Sequence, residues 1–342
     1  MARDVADLGL DAATSAGLVY VDRHDTGLRR VAEQGMVGYL DPEGRPAHCA
    51  ATLERIHRLA IPPAWTEVWI CADPRGHVQA VGRDARGRLQ YRYHPDWRAE
   101  RDRHKFERVC AFGRALPALR ARVEADLARP GLPREKVVAA VVRLLEITLI
   151  RIGNDEYARA NRSFGLTTLR KRHVTLSGVG AIFEFRGKAG VARRTGFRDR
   201  RLARVLRRCQ DLPGQRLFQY LDADGTRRHV ESADVNAYLR GAAGDDFSAK
   251  DFRTWAGTLA AARALRLSDP AASPAQAKKT VATCVKAVAG LLGNTPAVCR
   301  ACYIHPCVFD AFAAGALSPA LAGENRGAET ALLRLLHESG AC

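Results

Sequence analysis

From residue 18 to 93 the apolar positions come in short runs separated by turn formers: LVYV (18–21), VGYLDPEGRP (37–46) and EVWICADPRGHVQAVGRDARGRLQYRY (67–93). DPEG, DPRG and RDARG read as turns, so these runs predict an antiparallel sheet. Between them CAATLERIHRLA (49–60) has a helical period and stops at Ile61-Pro62-Pro63. YHPDWRAERDRH (93–104) is charged and lacks an apolar period, and the texture then changes to long helices. The expectation is an α+β chain with a β-rich N-terminal domain over 1–95 and a larger, mostly helical domain over 96–342.

In the second domain EKVVAAVVRLLEITLI (135–150) repeats apolar residues at Val137, Val141, Leu144 and Leu145, the pattern of a buried helix that delivers Arg151 at its end. LTTLRKRHVTLSGVGAIFEFRGKAGVARRTGF (166–197) alternates like strands, and Gly187 and Gly190 flank a hairpin tip that carries Lys188. Ser248 with Asp251 predicts one helix start; Ser273, Pro274 and Gln276, with Gly293 as a stop, predict another helix. Thr295-Pro296 opens one more helix, expected to carry Tyr303 and to end near Pro306.

Charge changes the picture. The chain of 342 residues has 54 Lys+Arg against 37 Asp+Glu, a net charge of +17, and points to a polyanionic partner. The excess clusters: residues 151–208 hold 16 Lys/Arg against only Asp155, Glu156, Glu184 and Asp199. Nucleic acid outweighs membrane, because VVAAVVRLLEITLI (137–150) is interrupted by Arg143 and Glu146 and is too short to span. The first 20 residues lack a basic n-region and an apolar h-region, so a soluble, cytoplasmic protein is expected. Nine scattered cysteines do not read as a disulfide framework.

AVCRACYIHP (297–306) with Cys307 raises a metal or redox reading. A structural zinc would want a second ligand pair, yet the other cysteines are isolated, and a redox C-x-x-C would want a βαβ setting. Packing thiols are the better reading, with no metal site. The chain also lacks G-x4-G-K-[ST], H-E-x-x-H and a strand-associated G-x-G-x-x-G, so the expected chemistry uses no ATP, catalytic zinc or dinucleotide.

Such a protein can still cut a phosphodiester covalently. A tyrosine phenol can attack once its proton is removed, its ordinary pKa being ~10. Arginine forks suit the charge that builds on the phosphate oxygens, and a lysine ammonium can protonate the leaving oxygen. The segments LIRIGNDEYARANRSFGLTTLRKRHV (149–174), FRGKAG (185–190), KDFRTWAGT (250–258) and LLGNTPAVCRACYIHP (291–306) resemble, in order and spacing, the active-site blocks of the type IB DNA topoisomerases, specifically the small poxvirus-like form found in bacteria. RDARGRLQYRYH (83–94) and RDRHKFERV (101–109) resemble the DNA-clamping lobe and linker of the same family.

The resemblance implies that Tyr303 is the nucleophile of a 3′-phosphotyrosyl intermediate, that Arg151 and Arg253 hold the scissile phosphate, and that Lys188 protonates the 5′ oxygen. Asn294 stands where poxvirus and nuclear enzymes have histidine; its amide can donate a hydrogen bond but cannot act as a cation or proton shuttle. By the same resemblance Gln90, Tyr91 and Tyr93 face the major groove and Tyr157 contacts the DNA backbone. Each residue has an ordinary alternative: Tyr303, Tyr91 and Tyr93 as core tyrosines, Arg253 in an ion pair, Lys188 as an exposed turn lysine.

The implied protein is a two-lobed clamp around duplex DNA, acting as a nucleoid-associated monomer without cofactor and relaxing positive and negative supercoils. A tyrosine recombinase is the nearest rival. Recombinases carry histidine three residues before the second arginine, where this chain has Lys250. A non-catalytic, basic DNA-binding protein is the rival from another class.

Overall fold

The computed structural model describes residues 10, 13–33, 36–244, 247–269, 273–323 and 326–340. Most of the segment inspected for an export signal, and Cys342, lie outside them. The chain divides into two compact units, Met1–Lys105 and Phe106–Cys342.

The first unit is built on an antiparallel sheet of five strands, β1 (Gly27–Glu33), β2 (Met36–Leu40), β3 (Thr66–Cys71), β4 (Val78–Arg83) and β5 (Leu89–Tyr93), in the order β2-β1-β3-β4-β5. One helix, α1 (Ala50–Arg58), buries Ile56 against Leu28, Val68, Ile70 and Ala80. Alternation is clear in β3, where Val68 and Ile70 point inward.

Two features differ from expectation. LVYV forms only an isolated bridge, Val19 to Gly76, because its backbone bonds go to the 73–77 turn and to the His77 ring, whose Nδ1 accepts Val21 N–H at 3.0 Å. Conversely GLRRVAE is a strand paired on both sides, hidden from pattern reading by Arg29 and Arg30. Gly27 is required there, since a Cβ would come within 2.2 Å of the Trp69 ring nitrogen.

The charged stretch after residue 93 is helical despite its lack of an apolar period. It opens α2 (Pro95–Ala128), with Pro95 at a first-turn position where its missing N–H costs nothing. Among the described side chains of its first turns only Trp97 is buried, packed with Ala13, Leu18 and Tyr93 under the Arg101 guanidinium, so no apolar stripe was there to be read.

The second unit packs helices around α3 (Arg134–Thr148), whose residues Val137 to Val142, Leu144 and Leu145 are all buried. A helix apolar all round belongs at the centre of a core. Around it lie α4 (Asp155–Asn161), α5 (Arg200–Asp211), α6 (Ser232–Ala243), α7 (Ala249–Arg266), α8 (Pro274–Leu292), α9 (Pro296–Cys302), α10 (Cys307–Ala313) and α11 (Arg326–Glu338). A three-stranded antiparallel sheet, β6 (Val174–Leu176), β7 (Gly180–Arg186) and β8 (Ala192–Arg198), and a two-stranded hairpin, β9 (Gln219–Leu221) with β10 (Arg227–His229), complete it. Residues 166–173 form two single 3-10 turns rather than strand. The capping predictions correspond to real starts: the Asp251 carboxylate accepts the Ser248 N–H at 2.8 Å, and Ser273 Oγ accepts Gln276 N–H at 3.2 Å.

Candidate active site

Arg151 lies three residues past the end of α3. Leu149 takes a left-handed conformation (φ 54°), and the backbone of 151–152 is then pinned by Leu166 N–H to Arg151 O (2.8 Å) and Thr167 N–H to Ile152 O (2.8 Å). Gly165 permits that approach, because a Cβ there would lie 2.5 Å from Arg151 O. The GLTT stretch is therefore the clasp that holds Arg151.

Arg253 projects from α7 and is buried. It donates to Leu149 O and, at 2.8 Å, to Leu292 O, and its guanidinium carbon lies 5.2 Å from the centre of the Tyr303 ring. Burial, with Arg151 beside it, pulls its pKa down to about 10, so it stays charged at neutral pH. Burial lowers Arg151 as well.

Tyr303 is not inside the helix expected to carry it. α9 ends at Cys302, and Tyr303 (φ −132°, ψ −1°) is its C-cap, with its N–H still bonded to Cys299 O at 2.9 Å. Departure from the helix at this residue frees the side chain from the α9 surface. The backbone is fixed from the other side by α7: Thr258 Oγ1, which donates to Thr254 O at 2.8 Å, accepts His305 N–H at 3.1 Å and lies 3.5 Å from Tyr303 O. Gly257 makes the approach possible, since a Cβ there would meet Tyr303 O at 2.4 Å. One helix thus carries Arg253 and seats the tyrosine.

Asn294 follows α8, which stops at Gly293 in the left-handed region (φ 62°). Its Oδ1 accepts from Arg151 Nη2, a guanidinium nitrogen that also donates to Gly293 O at 3.1 Å. Two buried donors of the site, Arg253 Nε and Asn294 Nδ2, have no hydrogen-bond partner among the described residues.

Lys188 sits at the exposed tip between β7 and β8, with Ala189 (φ 63°) and Gly190 (φ 76°) making the turn. It lines one cleft with Arg151, Arg193 and Arg253. Arg193 was legible in the sequence only as one of the 16 Lys/Arg of residues 151–208. It reaches from β8 to the end of α8, donating to Gly290 O (3.3 Å) and Leu291 O (3.1 Å). Burial and neighbouring Arg151 lower it too.

Tyr157 is half-buried on α4, whose N-terminus is capped by Asn154 Oδ1 accepting Tyr157 N–H at 2.8 Å, and it interacts electrostatically with Arg151. In the first unit Tyr91 and Tyr93 share a face of β5 and stack with ring centres 5.8 Å apart, Tyr91 being exposed. Gln90 Nε2 donates to Asp84 Oδ2 at 3.0 Å.

The cysteines around Tyr303 have separate surroundings. Cys299 is fully buried and Cys307 lies on α10, and burial pushes both thiols up to about 11. His305 is buried edge-on to Phe106, with Nδ1 accepting Cys307 N–H at 3.1 Å. Among the described residues no three His, Cys, Asp or Glu side chains are grouped to hold a metal ion.

The geometry offers cations and donors gathered against a tyrosine, the equipment for covalent phosphoryl transfer. Residues 94–312 match the family model of the eukaryotic DNA topoisomerase I catalytic core, and residues 37–84 that of the bacterial DNA topoisomerase IB N-terminal domain. A DNA topoisomerase 1B of Acanthamoeba polyphaga mimivirus is 34% identical over 259 residues, covering 74% of this chain and 77% of that protein.

Proposed function

The chain belongs to the type IB DNA topoisomerase family, and we infer that it relaxes supercoiled duplex DNA through a transient nick held by Tyr303. The phenolic oxygen attacks the scissile phosphorus, and its proton leaves to solvent. The P–O5′ bond breaks, and the departing 5′ oxygen takes a proton from the Lys188 ammonium, leaving a 3′-phosphotyrosyl ester and a free 5′-hydroxyl. Resealing runs the same steps backwards. One phosphodiester replaces another, so no ATP is needed, and torsion in the DNA drives strand rotation for supercoils of either sign.

The observation that carries this reading is the gathering of charge at the tyrosine: the Arg253 guanidinium lies 5.2 Å from the centre of the Tyr303 ring, and Arg151, bonded to Asn294, lines one cleft with Arg253 and Lys188. Arg253 Nε and Asn294 Nδ2, which have no partner among the described residues, are donors of the kind a non-bridging phosphate oxygen accepts from. Arg151 and Arg253 supply the fixed positive charge that a pentacoordinate phosphate needs, so the step requires no metal. Asn294 serves as a neutral donor.

Gln90, Tyr91 and Tyr93 are assigned to the major-groove side of the duplex, where Gln90 can read a base edge, and Tyr157 to its backbone. The protein is proposed to work as a monomer on DNA in the cytoplasm, associated with the nucleoid. No single helix among the described residues is long and apolar enough to cross a membrane.

The deciding experiment is incubation with supercoiled plasmid in EDTA without ATP. Wild type relaxes the plasmid and Tyr303→Phe does not; an inert wild type, or an active mutant, would sink the reading. Strand exchange between two duplexes would favour a recombinase instead.

A further inference from the structure

The C-terminal end of α8 gathers three guanidinium groups from three different parts of the chain. Arg193 donates to Gly290 O and Leu291 O, Arg253 to Leu292 O and Arg151 to Gly293 O. These carbonyls stand at the negative end of the helix, where such groups lack intrahelical donors and carry the partial charge of the macrodipole. That explains how three like charges tolerate one another in a half-buried space. It does not explain why Arg193 is there, because Arg151 and Arg253 already face the tyrosine.

The hairpin supplies the reason. Lys188 has no hydrogen-bond or ion-pair partner among the described residues, and the tip from Lys188 to Gly190 is exposed. The position of its ammonium therefore depends on where the hairpin is docked. Arg193 lies on the returning strand, paired across the ladder with Phe185, and its stem runs under the neck of the tip: a Cβ on Gly187 would meet Arg193 Cγ at 3.3 Å. Its guanidinium also packs on Gly293, where an added Cβ would meet Nη1 at 2.5 Å. Both terminal nitrogens of Arg193 are engaged by backbone carbonyls, so the group is used as a tie.

We propose that Arg193 is a positioning residue, which fastens the Lys188 hairpin to the end of α8 and so sets the lysine ammonium against the leaving 5′ oxygen. The inference rests on the assignment of Lys188 as general acid. A misplaced acid costs the proton transfer but leaves phosphate binding intact, and that difference can be measured.

The test is single-turnover cleavage of a duplex oligonucleotide, made once with the ordinary phosphodiester and once with the bridging 5′ oxygen replaced by sulfur. With sulfur, the tyrosine oxygen attacks phosphorus and the P–S bond breaks with its electron pair on sulfur. A thiol has a pKa of ~8.5, so the thiolate leaves without a proton. Arg193→Ala is expected to cleave the oxygen substrate about 100-fold more slowly, the scale of an ångström-level misplacement. On the sulfur substrate it should approach the wild-type rate, which also shows that the variant is folded. Lys188→Ala should follow the same pattern, Arg151→Ala should be slow on both substrates, and Arg193→Lys should fall between wild type and Arg193→Ala on oxygen.

Should Arg193→Ala be slow on both substrates while sulfur rescues Lys188→Ala, Arg193 acts on the phosphate itself and the proposal is overturned. A wild-type rate for Arg193→Ala on oxygen overturns it as well. If sulfur fails to rescue Lys188→Ala, the lysine is not the acid, and both assignments fall together.

Discussion

Arg151 donates a guanidinium hydrogen to the side-chain oxygen of Asn294, and this one bond decides which way the asparagine amide faces. With Oδ1 turned to the arginine, the NH2 group is aimed away from it, buried and unpaired. The asparagine is thus held as a donor by the residue it stands beside.

Asn294→Asp keeps an acceptor for Arg151 but removes the donor and adds a negative charge. Cleavage should slow by about 100-fold or more, the usual loss for one transition-state donor. Because an amide does not titrate between pH 5 and 9, position 294 contributes no ionisation to the wild-type rate profile. Asn294→His should add one below ~6.5, shifted down by the adjacent guanidinium groups. Rate–pH profiles of the two proteins check this, and an unchanged profile for the histidine variant would count against a role at the phosphate.

Gly257→Ala moves the nucleophile without deleting it. The new Cβ would meet Tyr303 O at 2.4 Å, and that oxygen is backbone, so Tyr303 must shift. Alanine favours a helix by up to ~1 kcal/mol over glycine, whereas overpacking costs ~1–3 kcal/mol. The expected outcome is a small change in melting temperature with a loss of cleavage of at least about 100-fold. Calorimetry and single-turnover kinetics on the same preparation separate the two effects.

His173 makes stability depend on pH. Its ring packs on Phe164 with centres 4.6 Å apart and its Nδ1 accepts Arg170 N–H at 3.1 Å. Burial, reinforced by Arg172 and Arg170, holds its pKa down to about 4. In the unfolded chain it returns to ~6.5, so between the two values the unfolded state binds a proton that the folded state does not. Stability from this source is flat above ~6.5 and falls as the pH drops towards 4, by on the order of 3 kcal/mol. His173→Gln should flatten that part of the curve in denaturant titrations at pH 7.5 and 4.5.

The exposed arginines around the larger cleft beside the site, among them Arg159, Arg162 and Arg172, are expected to act on phosphates at a distance from the chemistry. Replacing any one by alanine should lower the slope of log affinity against log salt by about 0.9, with the single-turnover rate at saturation unchanged. A slope that stays the same in all three would remove them from the DNA path.

The sequence disclosed the site more fully than the fold. Tyr303, Arg151, Arg253, Lys188 and Asn294 lie in the short blocks that carry the family resemblance, and the structure groups all five around one candidate site in the second unit. Arg193 escaped because its partners are backbone carbonyls almost a hundred residues away, which leave no mark in a local pattern. The elements that were misread had charged residues at positions where packing is supplied otherwise: Arg29 and Arg30 in a strand paired on both sides, and Arg101 roofing Trp97 in α2. The helix expected to carry Tyr303 and end near Pro306 stops at Cys302, four residues before that proline, where Gly257 and Thr258 of α7 crowd the backbone of 303–305.

The gathering of guanidinium groups on the end of α8 bears on turnover. Without DNA, the helix carbonyls stand in for the phosphate as resident counter-charge, so the cations are already assembled when a duplex arrives. When the strand is resealed and the DNA departs, the same carbonyls remain to keep those cations from scattering. The resting and working forms then share one scaffold, and an enzyme built this way resets between cycles without rebuilding its site.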